Sequence, residues 1–143
     1  MPVTNYPNGI NVTGGIAGSL TGNVTGNVTG NVTGAVTGGL ALPVQVGLVN
    51  GAITLTSGVV VLTKAGVAAM TLAAPTAGTD DGKILHIVAT TANAHTVTIA
   101  NGLSGAGAAA DVGTFGGAVG DRVSVIAYNG IWYPLINVNV TFE

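Results

Sequence analysis

The stretch RVSVIAYNGIWYPLI, residues 122–136, decides the fold class. Up to Tyr128, apolar residues occupy every second position, which is the pattern of a half-buried β-strand. Asn129–Gly130 follows, a dipeptide that favours the tight turn of a β-hairpin. The chain then continues as a second strand, and Pro134 indicates a sheet edge because proline donates no hydrogen bond to a neighbouring strand. The apolar face of the first strand consists of Val123, Val125 and Ala127.

Similar short segments fill the chain before this hairpin. Asn50–Gly51 predicts another hairpin, joining strands at 44–49 and 52–56. Residues 83–91 are partly apolar on both faces, which indicates a strand that is covered on both sides. Further predicted strands lie at 59–64, 67–73, 95–100, 111–115, 131–136 and 138–142. About nine short strands at this spacing predict an all-β module over residues 43–143, a β-sandwich or jelly-roll-like fold.

Residues 1–42 follow a different pattern, a glycine-rich repeat arm with a period of four. Glycine recurs from Gly14 to Gly38, and Asn-Val-Thr-Gly repeats three times over residues 23–34. Collagen needs glycine at every third position, and a helix would lose about 1 kcal/mol at each glycine. The arm is therefore expected to be extended. One of its faces then alternates valine with glycine and is the predicted partner-binding face: Val24, Gly26, Val28, Gly30, Val32 and Gly34.

Three arrangements of the arm remain open from the sequence. A lone extended strand cannot satisfy its own backbone amides, so we expect it to wind with other copies or to lie on the sheet edge of another protein. Glycines with positive φ could instead fold it into a narrow β-helix. The third arrangement is a flexible linker. The regular phase of the valines favours the first two.

The chain is unusually poor in charge. Only 6% of its residues are charged, with 3 basic and 5 acidic residues, whereas an ordinary soluble domain has about a quarter. Three basic residues are too few for a nucleic-acid footprint or for binding an anionic membrane. The hydrophobic fraction is 48%. We therefore expect much of the surface to be covered by copies of the chain or by another protein.

No pattern of catalytic residues emerges. His86 and His95 are the only histidines and fall on successive predicted strands, so they could meet in a hairpin, but a third metal ligand is missing and structural roles are favoured. Asp80–Asp81 could bind calcium, although adjacent acids in a glycine-rich turn more often cap a loop. Asp121–Arg122 could form an ion pair between subunits, but a solvated turn is favoured. We expect neither an enzyme nor a cofactor.

The aromatic residues near the C-terminus allow two interpretations. Tyr128, Trp132 and Tyr133 could form a patch that stacks on a sugar or lies in an interface. They could equally anchor the core of the last hairpin, and the core or a subunit interface is the favoured place for Trp132.

Several segments of the module resemble the small structural proteins of tailed bacteriophages, of the capsid-decoration (cement) or head-fibre kind. The similar segments are residues 61–66, 70–75, 79–83, 94–98, 114–121 and 127–130, with Trp132 after them. The resemblance implies a homotrimeric β-module on the capsid exterior, with the arm as anchor or trimer stalk. It offers no catalytic residues.

The sequence and the resemblance together lead to one expected function and two alternatives. We expect a virion protein that decorates or stabilises the capsid by binding the major capsid protein as a trimer. The first alternative is a fibre tip that binds a host-surface glycan. The second is an ice-binding or surface-layer protein that uses the threonine rows of the arm.

Overall fold

The computed structural model describes residue 39 and residues 41–54, 56–100 and 110–143, with Ala110 and Asp111 described by their backbone only. Residues 39–143 form one compact unit. The repeat arm up to residue 38, including its predicted partner-binding face, lies outside the described residues. So does the loop at 101–109.

The described residues form ten β-strands and no helix, so the predicted all-β character of the module is confirmed. The strands are β1 (Val44–Gly47), β2 (Gly51–Ile53), β3 (Gly58–Leu62), β4 (Ala69–Leu72), β5 (Ile84–Ala89), β6 (Thr96–Ala100), β7 (Ala110–Phe115), β8 (Arg122–Tyr128), β9 (Ile131–Val138) and β10 (Val140–Phe142).

These strands make two mixed five-stranded sheets. Sheet A has the order β1-β3-β5-β8-β9, and sheet B has the order β10-β7-β6-β4-β2. From β1 to β6 the chain alternates between the sheets, so each odd strand and the even strand after it form one coil. Successive coils pair in parallel, as the register Val44 to Val59 to His86 shows in sheet A. Parallel pairing of this kind distinguishes the topology from a jelly roll, whose strands are antiparallel.

Antiparallel strands complete the stack of coils. In sheet A, β8 pairs with β5 and β9 pairs with β8. Asn129 and Gly130 have φ angles of 48° and 78°, so the hairpin predicted between β8 and β9 is confirmed. Pro134 lies on the edge strand β9, opposite Val125 and beside a register shift between Ser124 and Val125. Its predicted edge position is therefore confirmed as well.

One hydrophobic core lies between the sheets. Inward side chains from both sheets belong to it, because alternation along each strand sends every second residue to the same side. Trp132 is completely buried, and its indole Nε1 donates a hydrogen bond to the Ala73 carbonyl at 2.9 Å. The other large, fully buried apolar side chains are Phe115, Leu62, Leu85, Ile87, Ile99, Val60, Val97, Val123 and Val125.

The hairpin predicted at Asn50–Gly51 is wrong. The strands on its two sides, β1 and β2, belong to different sheets. Instead of closing a turn, the Asn50 side chain accepts hydrogen bonds from Lys64 Nζ at 2.8 Å and from the Ala69 amide at 3.0 Å. Asn50 therefore ties one crossing between the sheets to the next. The two histidine strands do not form the hairpin that could have brought His86 and His95 together, because β5 lies in sheet A and β6 in sheet B.

Candidate binding surface

The side of sheet A that faces away from the core carries a largely apolar surface, called here the outer face. One row of it crosses all five strands in register: Val44, Val59, His86, Ser124 and Ile136. A second row runs through Val46, Val61, Val88, Arg122 and Val138, and a shorter third row through Ile84, Ile126 and Tyr133. All but three of these residues are aliphatic or aromatic.

Several aliphatic side chains of the outer face are open to solvent. Val44 is 59% exposed, Val46 is 53% exposed and Ile136 is 50% exposed. A strand of an exposed sheet normally presents polar residues on its solvent side. A contiguous apolar patch on a soluble protein usually marks an interaction site. The outer face is therefore the main candidate binding surface of the described chain.

A polar pair lies at the middle of the outer face. His86 occupies the central outward position of β5, the middle strand of sheet A, and its Nδ1 lies 2.7 Å from Ser124 Oγ. Ser124 is only 4% exposed. No carboxylate hydrogen-bonds the imidazole within the described ranges. The pair satisfies two polar groups within an apolar surface and lacks the orienting third group of a catalytic triad.

An open depression of about 500 Å³ borders this surface. Leu42, Ser57, Ile84, His86 and residues 81–83 line it. Its lysine, Lys83, is already engaged, because Lys83 Nζ forms a 2.6 Å ion pair with Asp80 Oδ1. The depression thus extends the outer face at the end where β5 begins.

The acidic turn predicted at residues 80–81 holds its own loop together. Asp80 is buried, and its second carboxylate oxygen accepts a 2.6 Å hydrogen bond from the Thr76 amide. The hydrogen bond from Lys83, followed by that from Thr76, holds the pKa of Asp80 below its ordinary value. Asp81 accepts a hydrogen bond from the Asn129 amide at 2.8 Å. Among the described residues, no group of three His, Cys, Asp or Glu lies close enough to hold a metal ion.

Asp121 has a structural role that the sequence did not indicate. Its carboxylate accepts hydrogen bonds from the Ala118 amide at 2.8 Å and from Asn139 Nδ2 at 2.9 Å. These bonds, that from Ala118 foremost, hold the pKa of Asp121 below its ordinary value. Asp121 is only 4% exposed, so the prediction of a solvated turn is wrong for this residue. Arg122 instead donates to the Gly120 carbonyl at 3.2 Å.

His95 is completely buried just before β6, in the connection that leads from sheet A to sheet B. Its Nδ1 accepts a hydrogen bond from the Ala68 amide at 2.9 Å, and its Nε2 lies 2.9 Å from Thr91 Oγ1. Thr91 in turn donates to the Lys64 carbonyl at 2.9 Å. The Ala68 contact requires an unprotonated Nδ1, so Nε2 carries the proton. Burial lowers the pKa of His95.

The three aromatic candidates separate in the structure. Trp132 lies in the core, as favoured, and is therefore no part of a sugar-binding patch. Tyr128 and Tyr133 point outward from adjacent strands, with 62% and 38% exposure. Tyr133 belongs to the third row of the outer face, and Tyr128 lies next to that row.

Four exposed aliphatic residues outside the outer face were missed by the sequence reasoning. Leu48, Val49, Val67 and Val119 are 63%, 69%, 49% and 67% exposed and lie in connections that cross between the sheets. The sequence did contain a signal for them: each is an aliphatic residue that lies next to a glycine or an asparagine in a loop. The sequence places Leu48 and Val49 at the end of the predicted strand 44–49 and Val67 at the start of the predicted strand 67–73, and it places Val119 in a turn.

No family model, curated protein or solved structure matches this chain. The described residues contain no helix long and apolar enough to cross a membrane.

Proposed function

We propose that this chain is a non-catalytic structural protein of a phage virion, a cement or head-fibre protein on the capsid exterior. In this proposal the two sheets form a β-sandwich module, the chain assembles as a homotrimer, and it binds the major capsid protein. The repeat arm serves as anchor or stalk. No nucleic acid, membrane or cofactor takes part.

The apolar outer face of sheet A is the observation that supports this proposal most. A module that works alone in water gains nothing from exposed valines and isoleucines, such as Val44, Val46 and Ile136 on the two edge strands of sheet A. A module that works between other proteins can bury these side chains, at about 25 cal/mol per Å² of apolar area. The single formal charge of the outer face, Arg122, lies at one end of it, so covering the face buries little charge.

The repeat arm adds a second source of affinity. Each arm can contribute apolar area from valine and hydrogen bonds from its backbone when it lies on another chain. Three arms joined in one trimer act at a high effective concentration, so weak contacts of each arm give a stable attachment.

Virion stability tests the proposal. Particles with the natural protein should keep it and survive heat and osmotic shock better than particles that lack it. A variant without residues 1–42 should not remain attached to the capsid. The matched control keeps the composition of the arm but scrambles its order, which removes the valine-glycine phase. Full attachment of the deleted variant would rule out the arm as anchor, and absence of the protein from particles would rule out the function.

A glycan-binding fibre tip is the second candidate, favoured by the two exposed tyrosines on one face. The strongest stacking residue of the chain, Trp132, is buried and does not contribute to such a surface. A glycan array with the natural protein and with the double variant Tyr128→Ala/Tyr133→Ala distinguishes the candidates. We expect no glycan signal. A signal that the double variant abolishes would favour the fibre tip.

A further inference from the structure

The solvent side of sheet B carries a surface that differs in its chemistry from the outer face. Two rows of side chains cross this sheet in register, and every member is threonine, alanine or valine. The first row consists of Ala52, Thr71, Thr98 and Val112, and the second consists of Ala69, Thr96, Thr114 and Thr141. We call these two rows the threonine face. We propose that the threonine face binds the surface of an ice crystal, a function that goes beyond the proposed virion role and does not depend on it.

The side chains of the threonine face point away from the core. On β6, Thr96 and Thr98 alternate with residues that are buried in the core. On β4 and β7, Thr71 and Thr114 each lie between two buried residues in the same way. Successive side chains of a strand point to opposite sides of its sheet, so these threonines share the side that faces solvent.

The threonines form a two-dimensional array in the middle of the sheet. Neighbouring strands lie about 4.8 Å apart, and outward residues of one strand lie about 6.7 Å apart. Thr96 and Thr98 have the longer spacing on the central strand β6. Thr71 lies beside Thr98, and Thr114 lies beside Thr96, at the shorter spacing. Water oxygens on the prism face of ice repeat at similar distances along two perpendicular directions, so several hydroxyls can meet the lattice at once.

The twist of the sheet limits how far this match extends. Each strand is rotated by roughly 20–25° against its neighbour, so a flat crystal plane can closely touch only the middle strands. In sheet B these are β4, β6 and β7, which carry Thr71, Thr96, Thr98 and Thr114. We therefore expect the protein to slow the growth of small ice crystals and to lower the freezing point only slightly.

The hydroxyls of the threonine face have no hydrogen-bond partner among the described residues and are not buried. By contrast, in the connection between β5 and β6, Thr90 Oγ1 and Thr91 Oγ1 donate to backbone carbonyls at 3.0 and 2.9 Å. The branched side chain of threonine is also restricted at χ1, which holds its hydroxyl and methyl groups in place. The array thus offers ordered donors and acceptors to a lattice of water molecules.

The chemistry of the threonine face favours ice over a protein partner. A protein laid on it would take the hydroxyls out of water, and each hydroxyl would cost free energy unless it found a new partner. An ice surface supplies a water molecule to every hydroxyl. The two surfaces are also complementary in charge, because ice is neutral and neither row contains a charged residue.

Recrystallisation of ice in the presence of the full-length protein tests the inference. The natural protein should keep the crystals of an annealed ice film small at a concentration where serum albumin does not. It should also be enriched in a slowly growing ice crystal. Thr98→Tyr places a ring at the centre of the face, which holds the neighbouring hydroxyls away from the lattice. We expect this variant to need an about tenfold higher concentration for the same effect.

Thr79→Tyr is the matched control, because Thr79 is an exposed threonine in the loop before β5 and lies outside both rows. It should act at the same concentration as the natural protein. Far-UV circular dichroism identifies a variant that fails to fold, and Thr71→Tyr on the neighbouring strand β4 then replaces Thr98→Tyr.

Three results would overturn the inference. The first is a natural protein that is no more active than serum albumin. The second is equal activity of Thr98→Tyr and the natural protein, which would assign the activity to another surface, such as the threonines of the arm. The third is an equal loss of activity in Thr79→Tyr and Thr98→Tyr. Attachment to virions is measured separately, so a failure of the proposed function is distinguishable from a failure of ice binding.

Discussion

At the scale of single residues, His95 links two backbone segments through its two ring nitrogens. Its Nδ1 accepts a hydrogen bond from the Ala68 amide, and its Nε2–H donates one to Thr91 Oγ1. The Thr91 hydroxyl in turn donates a hydrogen bond to the Lys64 carbonyl. These segments are the connections β3–β4 and β5–β6, which cross between the sheets at neighbouring levels. Because the imidazole is fully buried, no water can replace these bonds without rearrangement.

Replacing His95 by leucine should therefore be costly. His95→Leu leaves the Ala68 amide without a partner and should lower the free energy of unfolding by about 2–4 kcal/mol. Urea unfolding followed by tryptophan fluorescence measures it, since Trp132 lies in the core. The control His86→Gln, on the outer face, keeps a hydrogen-bonding side chain beside Ser124 and should cost about 1 kcal/mol or less. Equal losses for the two variants would contradict the structural role of His95.

The burial of His95 also makes the stability of the fold depend on pH. Burial places the pKa of His95 in the folded chain below the unfolded value of 6.5, so the unfolded chain takes up a proton first as pH falls. Stability is then highest above pH 6.5 and decreases below it. The fall in unfolding free energy from pH 7.5 to 5.5 should be smaller in His95→Gln than in the natural protein. An unchanged fall would show that His95 does not cause it.

At the scale of elements, Gly58 permits the first strand to join sheet A. It begins β3 with a φ of +125°, and a Cβ atom added there would overlap the carbonyl oxygen of Pro43. That same carbonyl accepts the hydrogen bond from the Val59 amide at 2.9 Å, which starts the pairing of β1 with β3.

Gly58→Ala should accordingly loosen β1. We expect it to lower the free energy of unfolding by about 2–4 kcal/mol, from backbone strain and overlap together. Hydrogen exchange should show faster exchange at the Val59 amide. Gly66→Ala is the matched control, because nothing lies within 4 Å of its added Cβ, and it should stay within about 0.5 kcal/mol. Similar losses in both variants would count against the close approach at Pro43.

The strands could be predicted from sequence and their partners only in part. Period-two alternation located β8, and the Asn129–Gly130 hairpin formed because its strands are antiparallel neighbours. Asn50–Gly51 has the same local signal, but its strands pair in parallel with β3 and β4. Local turn preferences do not encode the distant partner of a strand. Parallel pairing across 15 or more residues therefore remained hidden.

The candidate surface was partly foreseeable. Residues 83–91 are apolar on both faces, and the sequence therefore indicated a strand covered on both sides. In the structure one side of β5 faces the core, and the other side lies in the outer face. What the sequence could not supply was the register that aligns Val59, His86 and Ser124 into one row. The arm residues predicted to bind a partner remain a prediction.

At the scale of the whole molecule, low charge and an uncovered apolar face have one consequence. A chain with 6% charged residues has little electrostatic repulsion to keep its copies apart. Its outer face offers apolar surface for another protein to cover. Both features support the proposal that the protein works in an assembly.

Electron cryo-microscopy of purified virions tests this central claim most directly. We predict density for residues 43–143 at a repeated position on the outside of the shell, with the outer face of sheet A covered by protein in every copy. Maps in which Val46, Ile84 and Ile136 face solvent in every copy, or particles that hold no such density, would contradict it.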